Sequence, residues 1–250
     1  VISFSALGKY GRLGNQMFQY AALVALSEDL GTNCCAPLSD SDIFKCFDLK
    51  KAENKTPEKV DQIYREVEFS YNENAKNLIG SKYDTDIVGY FQSEKYFSHH
   101  KDLIKKEFTF RNTPETNVDP EGMVSIHIRR GDYLNLSDTH PVQDKTYYRQ
   151  AMEMFPDKEF LIFSDDVDWC EKSDLFFGGE KKGYHFSKND QFTDLYLMSK
   201  CTGGHIIANS SFSWWGSWLG GARTVAPKQW FGKKGPKDWS DVYCDGWIKL

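Results

Sequence analysis

The feature that most constrains the fold is an alternation of short β-branched runs with helical segments, punctuated by glycine, serine, asparagine and aspartate. Met123-Val124-Ser125-Ile126-His127-Ile128 has the period and the branching of a strand. A helix is expected over 144–155, with Asp144 as its N-cap. A strand at 159–163, a short strand near 184–186 and a helix at 190–200 follow. Then come a strand at 205–208, a helix at 213–219 closed by Gly220 and Gly221, and a strand at 224–226. The N-terminal part obeys the same rule. Residues 1–6 read as a strand, and a helix is expected over about 15–30. Phe18, Ala21, Ala22, Ala25 and Leu26 recur there at helical spacing, Gly31 is the stop, and 32–36 is the next strand. Strands separated by helices pair in parallel and carry helices on both faces. The expected class is α/β.

Between these regions the pattern weakens. Residues 38–80 are polar and read as irregular structure with short helices and one candidate strand near 63–67. Residues 86–92 read as a strand leading into a loop, followed by a helix carrying Tyr96, Phe97, Leu103 and Ile104. The stretch 113–120, with two prolines and no apolar pattern, is the linker candidate. Three parts are therefore expected: an N-terminal domain over 1–115, a C-terminal domain over 121–230, and a tail over 231–250 packing back on the first domain. A chain of 250 residues is long enough for two such domains. A net charge of −5 gives no basic field, so no nucleic-acid partner is expected. No apolar run is long enough to span a membrane. None of the six cysteines forms a C-x-x-C pair. They are expected to be reduced thiols, although an even count leaves disulfides open.

Four segments place polar groups at a strand's carboxyl end or a helix start, where α/β folds bind ligands. They lie at 12–16, 127–132, 164–166 and 209–213. The second puts Arg129, Arg130 and Asp132 directly after a strand. Guanidinium forks there suit a diphosphate, because each can bond two oxygens at once. In the first, a glycine-containing loop with Arg12 and Gly14 feeds a helix N-terminus near Asn15, whose unpaired N–H groups favour an anion or a polar sugar. Asp165 and Asp166 are adjacent rather than spaced as D-x-D, so a strand would turn them apart. The arginines can neutralise a diphosphate by themselves, and no metal is expected. Trp214, Trp215 and Trp218 read as core packing or as a sugar-stacking platform, and Tyr90, Phe91 and Gln92 as lining for an acceptor.

Gly11-Arg12-Leu13-Gly14-Asn15-Gln16-Met17-Phe18-Gln19-Tyr20, His127-Ile128-Arg129-Arg130-Gly131-Asp132-Tyr133 and Ala208-Asn209-Ser210-Ser211-Phe212-Ser213-Trp214-Trp215-Gly216 carry a resemblance. Together with Gly89-Tyr90-Phe91-Gln92-Ser93-Glu94-Lys95-Tyr96-Phe97 and Phe163-Ser164-Asp165-Asp166, they resemble the alpha-1,2-fucosyltransferase family. The resemblance covers most of the chain except 38–80. It implies a GT-B-like fold, with two Rossmann-like domains facing a cleft and the donor held mainly by the C-terminal half. It also implies inverting transfer of L-fucose from GDP-β-L-fucose to a glycan acceptor, a galactose-type hydroxyl, in an α-1,2 linkage. The alternatives are another donor, a protein acceptor, or an inactive nucleotide-sugar-binding module.

By resemblance, Arg129 bonds the diphosphate with Arg130 in support, and backbone N–H groups of Ser211 and Phe212 reach the β-phosphate beside the Ser210 hydroxyl. Asp194 accepts the N1 and N2 protons of guanine, and His127 contacts the ribose or the base. Asp165 and Gly14 belong to the donor side. Arg12 and Asn15 contact fucose, phosphate or the acceptor hydroxyl. Asp132 is either the general base or the group that holds an arginine still. The implied location is the cytoplasm, or the Golgi lumen if an N-terminal anchor has been removed.

Overall fold

The computed structural model describes residues 1–176 and 183–250. The chain divides into two units, Val1–Thr113 with Asp238–Cys244, and Pro114–Lys237 with Asp245–Leu250.

The first unit contains β1 (Ile2–Ser3), α1 (Leu13–Asp29), β2 (Cys34–Ala36), α2 (Asp42–Cys46), β3 (Glu53–Asn54), β4 (Gln62–Arg65), α3 (Ala75–Ile79), β5 (Thr85–Val88) and α4 (Lys101–Glu107). Its strands pair in parallel in the order β3-β2-β1-β5-β4. Helix α1 is buried on nearly all sides, from Leu13 to Ser27 with the exception of Asn15. That is why its small and apolar residues run around the whole helix rather than along one stripe. Gly31 follows at φ +60°, the left-handed conformation that ends a helix cheaply in glycine.

The polar stretch 38–80 is more ordered than its composition suggests. It supplies α2, α3 and the two edge strands β3 and β4, whose exposure removes the apolar signal a buried strand would show. Buried Glu107 anchors its start by accepting the Tyr20 hydroxyl at 2.6 Å and the backbone N–H groups of Lys50 and Lys51 at 2.9 and 3.0 Å. The single helix expected after residue 92 is instead two 3-10 turns, Glu94–Tyr96 and Ser98–His100, and then α4. Phe97 interrupts it, at φ −142° with its ring buried against Phe18.

The second unit contains β6 (Val124–Ile128), α5 (Lys145–Glu153), β7 (Phe160–Ser164), α6 (Val167–Lys172), β8 (Tyr184–Phe186), α7 (Gln191–Lys200), β9 (Gly204–Ile206), α8 (Ser211–Gly220), β10 (Thr224–Ala226) and β11 (Ile248–Lys249). All its strands are parallel, in the order β11-β10-β9-β6-β7-β8. Val124, Ile126 and Ile128 pack with Tyr147, Tyr148, Ala151 and Phe155, while Leu161 and Phe163 pack with Leu197 and Met198. Asp144 caps α5 as expected, accepting the Tyr147 N–H at 2.9 Å. Trp214, Trp215 and Trp218 are buried in mutual ring contact, which settles them as core rather than a stacking platform.

The tail departs from expectation. Only Asp238–Cys244 belongs with the first unit, whereas β11 pairs with β10 in the second sheet. Two residues of pairing leave too little pattern to read from sequence. Among the described residues no disulfide joins the six cysteines, all of them buried, and no helix is long and apolar enough to cross a membrane.

Candidate active site

Because every strand of the second sheet is parallel, the carboxyl ends of β6, β7, β8 and β9 share one edge. The chain builds outward from β6 through β7 to β8, then returns to place β9 on the other side of β6. That reversal makes a topological switch point between β6 and β9, the position where open α/β sheets bind ligands. Arg129 and Arg130 follow β6 directly, Asp165 and Asp166 follow β7, Asp194 sits in the first turn of α7 after β8, and Ser210 precedes α8 after β9. Parallel pairing thus delivers segments far apart in sequence to one edge.

The arginines are held rather than waving in solvent, with side chains 15% and 17% exposed. Arg129 Nη2 donates to Asp132 Oδ1 at 2.5 Å, and Nη1 lies 3.0 Å from Asp165 Oδ2. The other Asp165 oxygen accepts the backbone N–H of Arg130 at 2.9 Å. Arg130 Nε donates to Asp166 Oδ2 at 3.1 Å, and its guanidinium lies 3.8 Å from the Trp169 ring centroid. Asp166 also caps α6 by accepting the Trp169 N–H. The adjacent acids that resembled an imperfect metal motif therefore each brace one arginine. A Cβ at Gly131 would come within 2.3 Å of Asp165 Oδ2, so this close approach requires glycine. A guanidinium has five N–H donors, and these carboxylates take only part of each fork.

His127 is buried, 5% exposed, with its ring 5.5 Å from Phe212. Burial and the neighbouring Arg129 charge push its pKa down to about 3, so the imidazole is neutral. Among the described residues its Nδ1 has no hydrogen-bond partner. The Ser210 side chain does not cap α8, and no acid lies in that first turn, a helix start suited to an anion. Asp194 accepts the Ser187 hydroxyl, and burial pushes its carboxyl up to about 7.

The first unit has its own switch point, between β1 and β5. Gln92, after β5, donates to Asn15 Oδ1 at 2.8 Å, which fixes the orientation of the Asn15 amide. Arg12 is the N-cap residue of α1, in extended conformation, and Gly14 is buried in the first turn. Gly11, at φ +90°, lies so close to Asn15 that a Cβ there would meet Nδ2 at 2.2 Å. Gln16 donates to Gly11 O, and Gln19 to Tyr10 O and Gly89 O, so α1 grips both loops. Of the three residues expected to line an acceptor, only Tyr90 is exposed. Phe91 is wholly buried against Phe4 and Tyr96, and Gln92 is nearly so.

Sequence reasoning missed Glu66 and Trp169 as parts of these arrangements, and it named Asn209 only as the start of the 209–213 segment. Glu66 accepts the N–H groups of Tyr90 and Phe91 at 2.7 and 3.0 Å and so holds Phe91 at φ +53°. Burial pushes its carboxyl up to about 7. It stands just past β4 in the stretch read as irregular, and a carboxylate at a strand's carboxyl end was the available signal. Asn209 accepts from Gln143 at 3.1 Å and donates to Trp230 O at 2.9 Å, while its carbonyl takes the Tyr133 hydroxyl at 3.0 Å.

A braced cationic fork at the switch point of a parallel sheet is an arrangement in which α/β folds can hold anionic ligands. Glycosyl transferase family 11 matches residues 6–250, and the chain belongs to that family. It is 31% identical to the Alpha-1,2-colitosyltransferase of Escherichia coli, over 96% of each chain. It is 25% identical to the Galactoside alpha-(1,2)-fucosyltransferase 1 of Homo sapiens, over 86% of this chain and 65% of that one. Among solved structures, an Arabidopsis thaliana FUT1 variant in complex with GDP superposes with a TM-score of 0.56 at 12% identity, covering 90% and 69% of the two chains. The fucosyltransferase NodZ from Bradyrhizobium gives 0.54 at 10% identity, covering 86% and 92%. Identities this low speak for the fold alone.

Proposed function

We propose that the protein transfers L-fucose from GDP-β-L-fucose to a galactose-type hydroxyl, forming an α-1,2 linkage with inversion. The observation that carries this reading is the braced Arg129 at the switch point of the second sheet, in a chain of glycosyl transferase family 11. As the bond from the anomeric carbon to the phosphate oxygen breaks, negative charge grows on GDP. Arg129, fixed in advance by Asp132 and Asp165, meets that charge without reorganising, which is how such donors lower a barrier. Arg130 and the N–H groups of Ser211 and Phe212 take the remaining phosphate oxygens. Asp194, once ionised, accepts the N1 and N2 protons of guanine, and the unpartnered Nδ1 of His127 suits a ribose hydroxyl. The short Arg129 contact of Asp132 supports the holding role over that of general base. In the first unit, Arg12 and the fixed amide of Asn15 are our candidates for the acceptor hydroxyl. No divalent ion enters this scheme, because the guanidinium groups supply the positive charge.

The similarity to an Alpha-1,2-colitosyltransferase favours, as a second reading, a colitosyl donor on the same machinery. One experiment separates the readings. The purified chain is incubated with GDP-fucose or GDP-colitose and a panel of galactose-ended glycans, with and without EDTA, and product linkages are determined by NMR. An α-1,2-fucosylated product of equal yield in EDTA is expected. Transfer from the colitosyl donor alone moves the assignment to the second reading. GDP binding with no transfer from either donor overturns both.

A further inference from the structure

The far end of α1 carries a cluster that sugar transfer does not use. Asp29 is the last residue of that helix. Nε2 of His99 lies 3.0 Å from each of its carboxylate oxygens, and Nε2 of His100 lies 2.8 Å from Oδ1. One ligand atom from each of the three residues falls within 4.8 Å of the others. The histidines are consecutive in the 3-10 turn Ser98–His100, where successive side chains diverge by about 120°. Yet both rings turn toward one carboxylate from some 70 residues earlier, with centroids 4.5 Å apart.

We infer that Asp29, His99 and His100 form a binding site for a divalent first-row transition metal, with Zn²⁺ as the type ion. Two imidazole nitrogens and one carboxylate oxygen are the donor set that such ions take, whereas Mg²⁺ and Ca²⁺ prefer oxygen alone. With bonds of about 2.0–2.1 Å, tetrahedral ligand atoms sit about 3.3 Å apart, so each histidine–carboxylate spacing need open by only a few tenths of an ångström to admit an ion. The His99 side chain is 47% exposed, which leaves room for water to complete the coordination. Lys76 Nζ, 4.0 Å from Asp29 Oδ2 and half exposed, is the cation an incoming metal displaces toward solvent.

The site is structural. Asn15 lies in the first turn of α1, so Asp29 is about 20 Å away along the helix axis. A bound ion would tie the end of α1 to the turn that precedes α4.

The test uses the untagged, metal-stripped full chain. Zn²⁺ is titrated by calorimetry with thermal unfolding in parallel, and Co²⁺ is titrated by visible absorption. We expect one ion per chain, a higher Tm with Zn²⁺ and the intense d–d bands of low-coordinate cobalt. His99→Ala and Asp29→Asn should each weaken Zn²⁺ binding about tenfold or more, with GDP affinity and sugar transfer unchanged. Absence of saturable binding, or binding equally strong in His99→Ala, overturns the assignment. In the second case the ion sits elsewhere on the chain. The exposed position of His99 makes its alanine variant safe for folding, and Lys76→Ala should bind more tightly than wild type.

Discussion

In the proposed reaction Arg129 serves because it is immobile. Its guanidinium is fixed by two carboxylates before any ligand arrives, and Gly131 allows Asp165 to come close enough to help. Arg129→Ala should lower kcat by about 10²–10³-fold, on the order of 3–4 kcal/mol of barrier, with circular dichroism and Tm close to wild type. Gly131→Ala should place a methyl group against Asp165 and release one brace, so turnover falls by about tenfold or more while the fold persists. Steady-state kinetics beside thermal unfolding checks both variants. Asp194 gives a prediction in pH. Burial pushes its carboxyl up to about 7, and the guanine contact proposed for it requires the ionised form. GDP affinity should therefore weaken roughly tenfold per pH unit below about 7. Calorimetry across that range should show a shallower dependence in Asp194→Asn, which cancels the titration of GDP itself.

At the scale of elements, loop 89–92 shows how a polar side chain sets backbone shape. Glu66 accepts two successive N–H groups and holds Phe91 at φ +53°, which turns the Phe91 ring into the core and brings the Gln92 amide to Asn15. Glu66→Ala leaves those N–H groups without their acceptor, at a cost of about 1–3 kcal/mol. Chemical denaturation should show that loss, with turnover falling further than the stability loss explains if Asn15 needs Gln92 in place. The elements visible in sequence were those with several turns or a buried β-branched run, such as α1, β6 and α7. Residues 184–186 and 224–226 were placed at their observed bounds because turn residues flank them. Strands β3 and β11, of two residues each, and α6 were not legible, since pairing and one aspartate cap, rather than periodicity, create them.

For the whole molecule, buried titratable groups make opposing contributions to stability. Glu66 and Asp194 keep in the native state a proton that the unfolded chain loses above about pH 4, so their contribution is full below that and falls as pH rises to about 7. His127 and His205, pushed by burial down to about 3 and 4, do the reverse. Their contribution is full above about 6.5 and is lost as pH falls. Over about pH 4.5–6.5 the two sets oppose each other. Glu66→Gln removes one side, so its Tm relative to wild type should rise between about pH 5 and about pH 8. A Tm difference independent of pH would show that Glu66 does not titrate in that window.

The sequence by itself determined the α/β class, the order of the long elements, and that Arg129, Arg130, Asn15 and the run before α8 stand at strand ends or helix starts. Periodicity and turn chemistry are local, and local patterns survive in the string of residues. Only the tertiary structure decided who holds whom: Asp132 and Asp165 on Arg129, Asp166 and Trp169 on Arg130, Glu66 on loop 89–92, and two histidines on Asp29. Many of those pairs are 25 or more residues apart in the chain. Parallel strands from distant segments bring their carboxyl ends to one edge, and which acid then meets which base depends on strand order rather than on spacing in sequence.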